Sequence, residues 1–123
     1  MEHPVVTRKV ITIVFEDGED IVEGFKNALK EQNVKVAEFE TIQGKVRNFD
    51  LKIYVAGNFI KKHFDSEYTL CSISGRLSLK QDSVYHGDFA ISLSKDADMK
   101  TMHGQPLSAI ANGEVTIKAK CID

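Results

Sequence analysis

Period-two alternation, recurring in segment after segment, is the property of this chain that most narrows what it can fold into. In "EYTLCSISGRLSLKQ", residues 67–81, Cys71, Ile73, Gly75, Leu77 and Leu79 share one face and Leu70, Ser72, Ser74, Arg76 and Ser78 the other. This is the pattern of a long strand with one wetter side, and Gly75 in its middle predicts a bulge or a close backbone approach. "GDFAISLSKDAD" turns Phe89, Ile91 and Leu93 inward and Asp88, Ala90 and Ser92 outward, and "GEVTIKAKCI" sets Val115, Ile117, Ala119 and Cys121 against Glu114, Thr116, Lys118 and Lys120. "VKVAEFE" and "DLKIYVAG" alternate in the same way, while "KVITIVF", residues 9–15, is apolar on both faces and reads as a central strand.

The period changes once. In "EDGEDIVEGFKNALKEQNV", Ile21, Val22, Phe25, Ala28 and Leu29 form one apolar stripe at helical spacing, with Asp17 placed to cap the first turn and Glu19 and Asp20 favoured by the helix dipole. Between the strands, "TIQGKVRNF" could hold a turn or a short helical piece, and "AGNFIKKHFDSE" reads as a loop carrying Lys61, Lys62 and His63. One long helix near the N-terminus followed mostly by strands predicts an α+β fold, an antiparallel or mixed sheet covered on one face by the helix. A single helix leaves apolar sheet area over, and oligomerisation would bury it.

With 123 residues the chain suits a single domain spanning residues 1–123. A net charge of −2 gives no long-range attraction for a polyanion. Cys71 and Cys121 form no C-x-x-C pair, fall in strand-like runs and read as reduced core thiols of a cytoplasmic protein. No apolar run is long enough to cross a bilayer, so no membrane partner is expected. There is no Gly-rich phosphate loop, no H-E-x-x-H and no nucleophile motif, which argues against an enzyme. Asp96 and Asp98 read as turn residues, and His3 and His63 as spectators.

Three segments in order resemble the PPC domain, the plants and prokaryotes conserved domain. Gly18, Glu19 and Asp20 look like that family's Gly-Glu-Asp opening of its helix. "YTLCSISG" is similar to its apolar-Ser-x-Ser-Gly strand, and the run from "FAISLSKDAD" through "MHG" to "NGEVTIKA" to its later strands. The resemblance implies a bent antiparallel sheet around one long helix, assembled as a homotrimer that acts as a binding and assembly module. The family's DNA-binding description derives from plant members whose AT-hook contacts the minor groove. No Arg-Gly-Arg-Pro hook occurs here, the only Gly-Arg step being Gly75 to Arg76, so that label does not follow from the fold.

Many prokaryotic members resemble one another in a His-x-His pair and a later third histidine able to bind a divalent metal. His86 and Asp88 take the pair in one register, Asp88 and Ala90 in the other. His103 matches the third histidine after a one-residue shift, with Thr101 and Met102 in place of two glycines. His86, Asp88 and His103 would make an acceptable donor set for zinc. No cofactor is expected beyond such a divalent metal. A metal-dependent ligand binder or enzyme at this cluster is the alternative to a non-catalytic module. DNA as a direct partner would need Lys61, Lys62, Arg76, Lys118 and Lys120 to converge across a trimer.

Overall fold

The computed structural model describes residues 8–87, 89–95 and 101–122, which form β1 (Arg8–Phe15), α1 (Ile21–Glu31), β2 (Val36–Gln43), β3 (Lys45–Val55), β4 (Asn58–Phe64), β5 (Tyr68–Leu79), β6 (Tyr85–His86), β7 (Phe89–Ser94), β8 (Thr101–Ala111) and β9 (Val115–Ile122). Strand makes up 68% of the described residues and helix 10%. The expected α+β arrangement, a sheet packed around one long N-terminal helix, is therefore corrected: this is a β-rich sheet fold with one short helix among the described residues. The helix is short because its ends are fixed close together. Asp20, with extended backbone, accepts from the Val22 amide at 2.9 Å, and Gln32 closes the other end after 11 residues. The cap is Asp20 and not Asp17.

All the pairings are antiparallel, in the order β1-β9-β2-β5-β7-β8-β3-β4, with β6 beside β5. β3 also pairs with β5 through Lys45↔Thr69 and Val46↔Tyr68, so β5, β7, β8 and β3 close on themselves. Val46, Leu51, Ile91 and Leu93 are fully buried within this closure. The helix buries Ile21, Val22, Phe25 and Leu29, and Phe25 meets Phe39 of β2 with ring centroids 4.7 Å apart. Phe39 in turn stacks on Phe89 of β7 at 4.6 Å. Burying one such ring contributes about 1.5–3 kcal/mol.

Five further expectations change. β1 lies at the edge of the sheet, and its Val10 and Val14 are each 52% exposed, so its apolar outer face is left uncovered among the described residues. Residues 45–55 are one continuous strand, with Val46 and Phe49 buried where a turn or helical piece was expected. Residues 58–64 are strand too, joined to β3 by a two-residue turn in which Ala56 and Gly57 have φ of 50° and 84°, the left-handed pair of a tight hairpin. Cys71 is exposed while Cys121 is buried, because a register shift between Leu70 and Ser72 carries Leu70 inward. The pairing irregularity of β5 lies at that shift, and Gly75 instead takes a positive φ where β5 passes from β2 to β7.

His3, Asp88, Asp96 and Asp98 lie outside the described residues.

Candidate functional site

Alternation along β5, β7, β8 and β3 sends Ile73, Ile91, Gly104 and Leu51 toward the core and Ser74, Ala90, His103 and Lys52 to the opposite face. The middle of that face carries small side chains. Ser74 lies beside Ala90, and Ser72 beside Ser92, their hydroxyls hydrogen-bonded to each other. At its margin the β3–β4 hairpin raises Tyr54 and Phe59, cross-strand partners with ring centroids 5.1 Å apart. Small floor and tall aromatic wall leave a cleft of about 560 Å³, lined also by His103 and Gln105 of β8. The Lys52 ammonium sits 4.7 Å above the centre of the Phe59 ring, a cation–π contact at the rim. Imidazole, amide, hydroxyl and ammonium groups thus converge on a mostly apolar concavity, the usual chemistry of a small-molecule site.

His86 does not share this cleft. It pairs across from Ser78 in a second concavity lined by Arg76, Ser78, Lys80 and Gly87, and its Nε2 meets Asp82 Oδ2 at 2.9 Å. That hydrogen bond holds the Asp82 carboxyl below its ordinary range. Asp88 lies outside the described residues, and among those described no three His, Cys, Asp or Glu side chains are grouped to hold a metal ion.

The five cations singled out in the sequence fall into two separate groups. Lys61 and Lys62 are on β4 at one edge of the sheet. Lys120 and Arg76 flank Glu38 across β9, β2 and β5, with Lys118 further along β9. Arg76 bonds Glu38 at 3.0 Å and Lys120 bonds Glu40 at 3.1 Å, so two of that second group are already matched by carboxylates.

Two arrangements were not foreseen. His63 is held between Asp50 at 2.7 Å and Asp65 at 2.6 Å, and the Asp50 and Asp65 hydrogen bonds raise its pKa above 6.5. The same contact with His63 lowers Asp50, which also accepts from the Ser108 hydroxyl at 3.3 Å. Recognising the two-residue turn would have revealed this, since that turn alone sets Asp50 opposite His63. The second arrangement centres on Arg47, which donates to Asp17 at 2.7 Å, to the Asn112 side chain at 2.6 Å and to the Ala111 carbonyl at 3.3 Å. It ties the turn before the helix to the turn between β8 and β9, and its hydrogen bond lowers the Asp17 pKa.

The family model of the Plants and Prokaryotes Conserved (PCC) domain matches residues 4–119. The chain belongs to that family. No curated protein matches it in sequence. Among solved structures, a metal-containing protein from Archaeoglobus fulgidus superposes with a TM-score of 0.81 at 21% identity, covering 100% of this chain and 86% of the other. A plant- and prokaryote-conserved protein from Pyrococcus horikoshii gives 0.81 at 17% identity over 100% and 85%. A protein from Bacteroides thetaiotaomicron, named for a suspected DNA-binding role, gives 0.79 at 16% identity over 94% and 83%. At these identities the shared property is the PCC fold. Within it, the Gly18-Glu19-Asp20 step is a structural joint: Gly18 N–H donates to the Ala111 carbonyl at 2.9 Å, Ala111 N–H to the Glu19 carbonyl at 2.8 Å, and Asp20 caps the helix.

Proposed function

We propose that this PCC-domain chain is a non-catalytic binding and assembly module that works as a homotrimer. The observation carrying this reading is the apolar surface left on the two strands at the ends of the sheet order. β1 exposes Val10 and Val14; at the other end the β3–β4 hairpin exposes Val55 and Ile60, on the face opposite Tyr54 and Phe59. Each end strand pairs on one side only among the described residues, which leaves a row of backbone donors and acceptors open. Two different patches of this kind, one at each end, suit a head-to-tail contact that closes into a ring. Light scattering coupled to size exclusion, at micromolar protein, should return three times 13.8 kDa. A strictly monomeric species would remove the reading.

DNA is a partner for the module on the strength of relatives named for it; of the five cations, Lys62 and Lys118 are the candidates for such contact, while Lys61, Arg76 and Lys120 would first have to leave Asp50, Glu38 and Glu40. Duplex affinity that falls steeply with salt would support it. A second reading, a metal-dependent binder, is favoured by His103 in the cleft and by the metal-containing Archaeoglobus relative. Elemental analysis of untagged protein, beside a His86→Ala/His103→Ala variant, tests it: no bound metal in either would end it.

A further inference from the structure

We propose that the cleft between the β3–β4 hairpin and β8 binds a small aromatic carboxylate. Its wall, Tyr54 and Phe59, is set edge to face at 5.1 Å, and both side chains stay more than 60% exposed, at 62% and 65%. Two large rings held against water at the mouth of a 560 Å³ concavity offer an apolar surface that a flat ring can cover by offset or edge contact. Small residues at Ser74, Gly75 and Ala90 leave room for it beneath.

Charge selects the other half of the ligand. Lys52 has no carboxylate partner among the described residues, and its ammonium rests on the Phe59 ring. None of the described lining residues is acidic. Asp50 projects from the same side of β3, two residues away, but its carboxylate is engaged by His63 and Ser108. Gln105, cross-strand from Lys52, and His103, two residues before it on the same face, can donate to a carboxylate that Lys52 neutralises. An ammonium already lying on an aromatic ring, with an amide and an imidazole donor beside it, is complementary to an anion attached to a flat apolar body. A phosphorylated or strongly hydrophilic ligand would leave Tyr54 and Phe59 uncovered.

The chain contains no tryptophan, so a fluorescent aromatic acid can be followed at wavelengths where the protein is silent. The probe is anthranilate, titrated by fluorescence anisotropy in buffer containing EDTA so that no bound metal can accept the carboxylate. The expected result is saturable binding at one site per chain, with the dissociation constant raised at least about tenfold in Lys52→Met and in Phe59→Ala. Both side chains are exposed, so neither change should disturb folding. Benzamide, an uncharged ring of similar size, should compete at least about tenfold less well than benzoate. Absence of saturation into the millimolar range, equal competition by benzamide and benzoate, or affinity unchanged in both variants would each overturn the proposal. Binding that appears only when EDTA is replaced by zinc would overturn it as well, since a metal and not Lys52 would then hold the acid.

Discussion

Gly87 lies between His86 and Phe89 in the stretch that suggested a metal site, and its replacement by alanine tests what shapes that stretch. The pairings Ser78↔His86 and Gly75↔Phe89 keep one register across it, so the backbone at Gly87 runs directly beside Arg76 and Leu77. A Cβ built on Gly87 would stand 2.1 Å from the Arg76 carbonyl oxygen and 3.3 Å from the Leu77 Cα, atoms that cannot swing aside as a side chain could. The φ of 138° adds a conformation that side-chain-bearing residues avoid. Backbone strain of about 1–3 kcal/mol and crowding of similar size, about 1–3 kcal/mol, together predict a loss of about 2–6 kcal/mol. At a denaturant slope of about 1.5 kcal/mol per molar, a 3 kcal/mol loss lowers the urea midpoint by about 2 M. Gly113→Ala supplies the comparison, because its φ is 83° but nothing lies within 4 Å of its Cβ, so it registers the strain alone. Both variants should be unfolded at one fixed protein concentration, since assembly would add to apparent stability. If Gly87→Ala costs no more than Gly113→Ala, the close approach of β5 is not what requires glycine there.

Two further outcomes follow from the corrected elements. Protonated His63 bridges Asp50 and Asp65 and helps fasten β4 to β3; because its folded pKa is raised above 6.5, this contribution is complete below pH 6.5 and is lost as pH rises through the folded value. Histidine ring resonances should titrate above 6.5 for His63, and slow amide exchange in β4, relative to His63→Gln, should fade over the same interval; a titration at or below 6.5 would refute the bridge. Native protein should react with one equivalent of a thiol reagent through exposed Cys71, and a second only after unfolding frees buried Cys121; two fast equivalents would contradict the burial.

Local alternation made several strands legible. β9 reads directly, because Val115, Ile117, Ala119 and Cys121 face the core along its whole length without interruption. β5 reads only in part, since the shift at Leu70 and Ser72 inverts the faces near its start, and nothing in "YTLCS" marks it. The β3–β4 hairpin was hidden by its turn. Ala56 occupies a left-handed position where asparagine or glycine would have signalled a tight turn, and the exposed Lys61, Lys62 and His63 around Ile60 resemble a solvated loop. Edge position was illegible for a different reason. β1 has the composition of a central strand, and only the sheet order reveals that Val10 and Val14 face outward.

The same misreadings concealed the cleft. Sequence spacing joined His86 and His103, but the distance that matters runs across the sheet, where His103 lies opposite Ser92 of β7 and His86 opposite Ser78 of β5. Lys52, Tyr54 and Phe59 carry no motif, and they reach His103 and Gln105 only because β3 folds back along β8 and carries the hairpin with it. The apolar residues that look excessive for a loop are the ones that build the wall. Uncovered Tyr54 and Phe59 are therefore better read as surfaces waiting for an occupant than as failures of the core. A ring of chains and a small acid can both be accommodated, because Val55 and Ile60 alternate with Tyr54 and Phe59 along the hairpin and so face the other way.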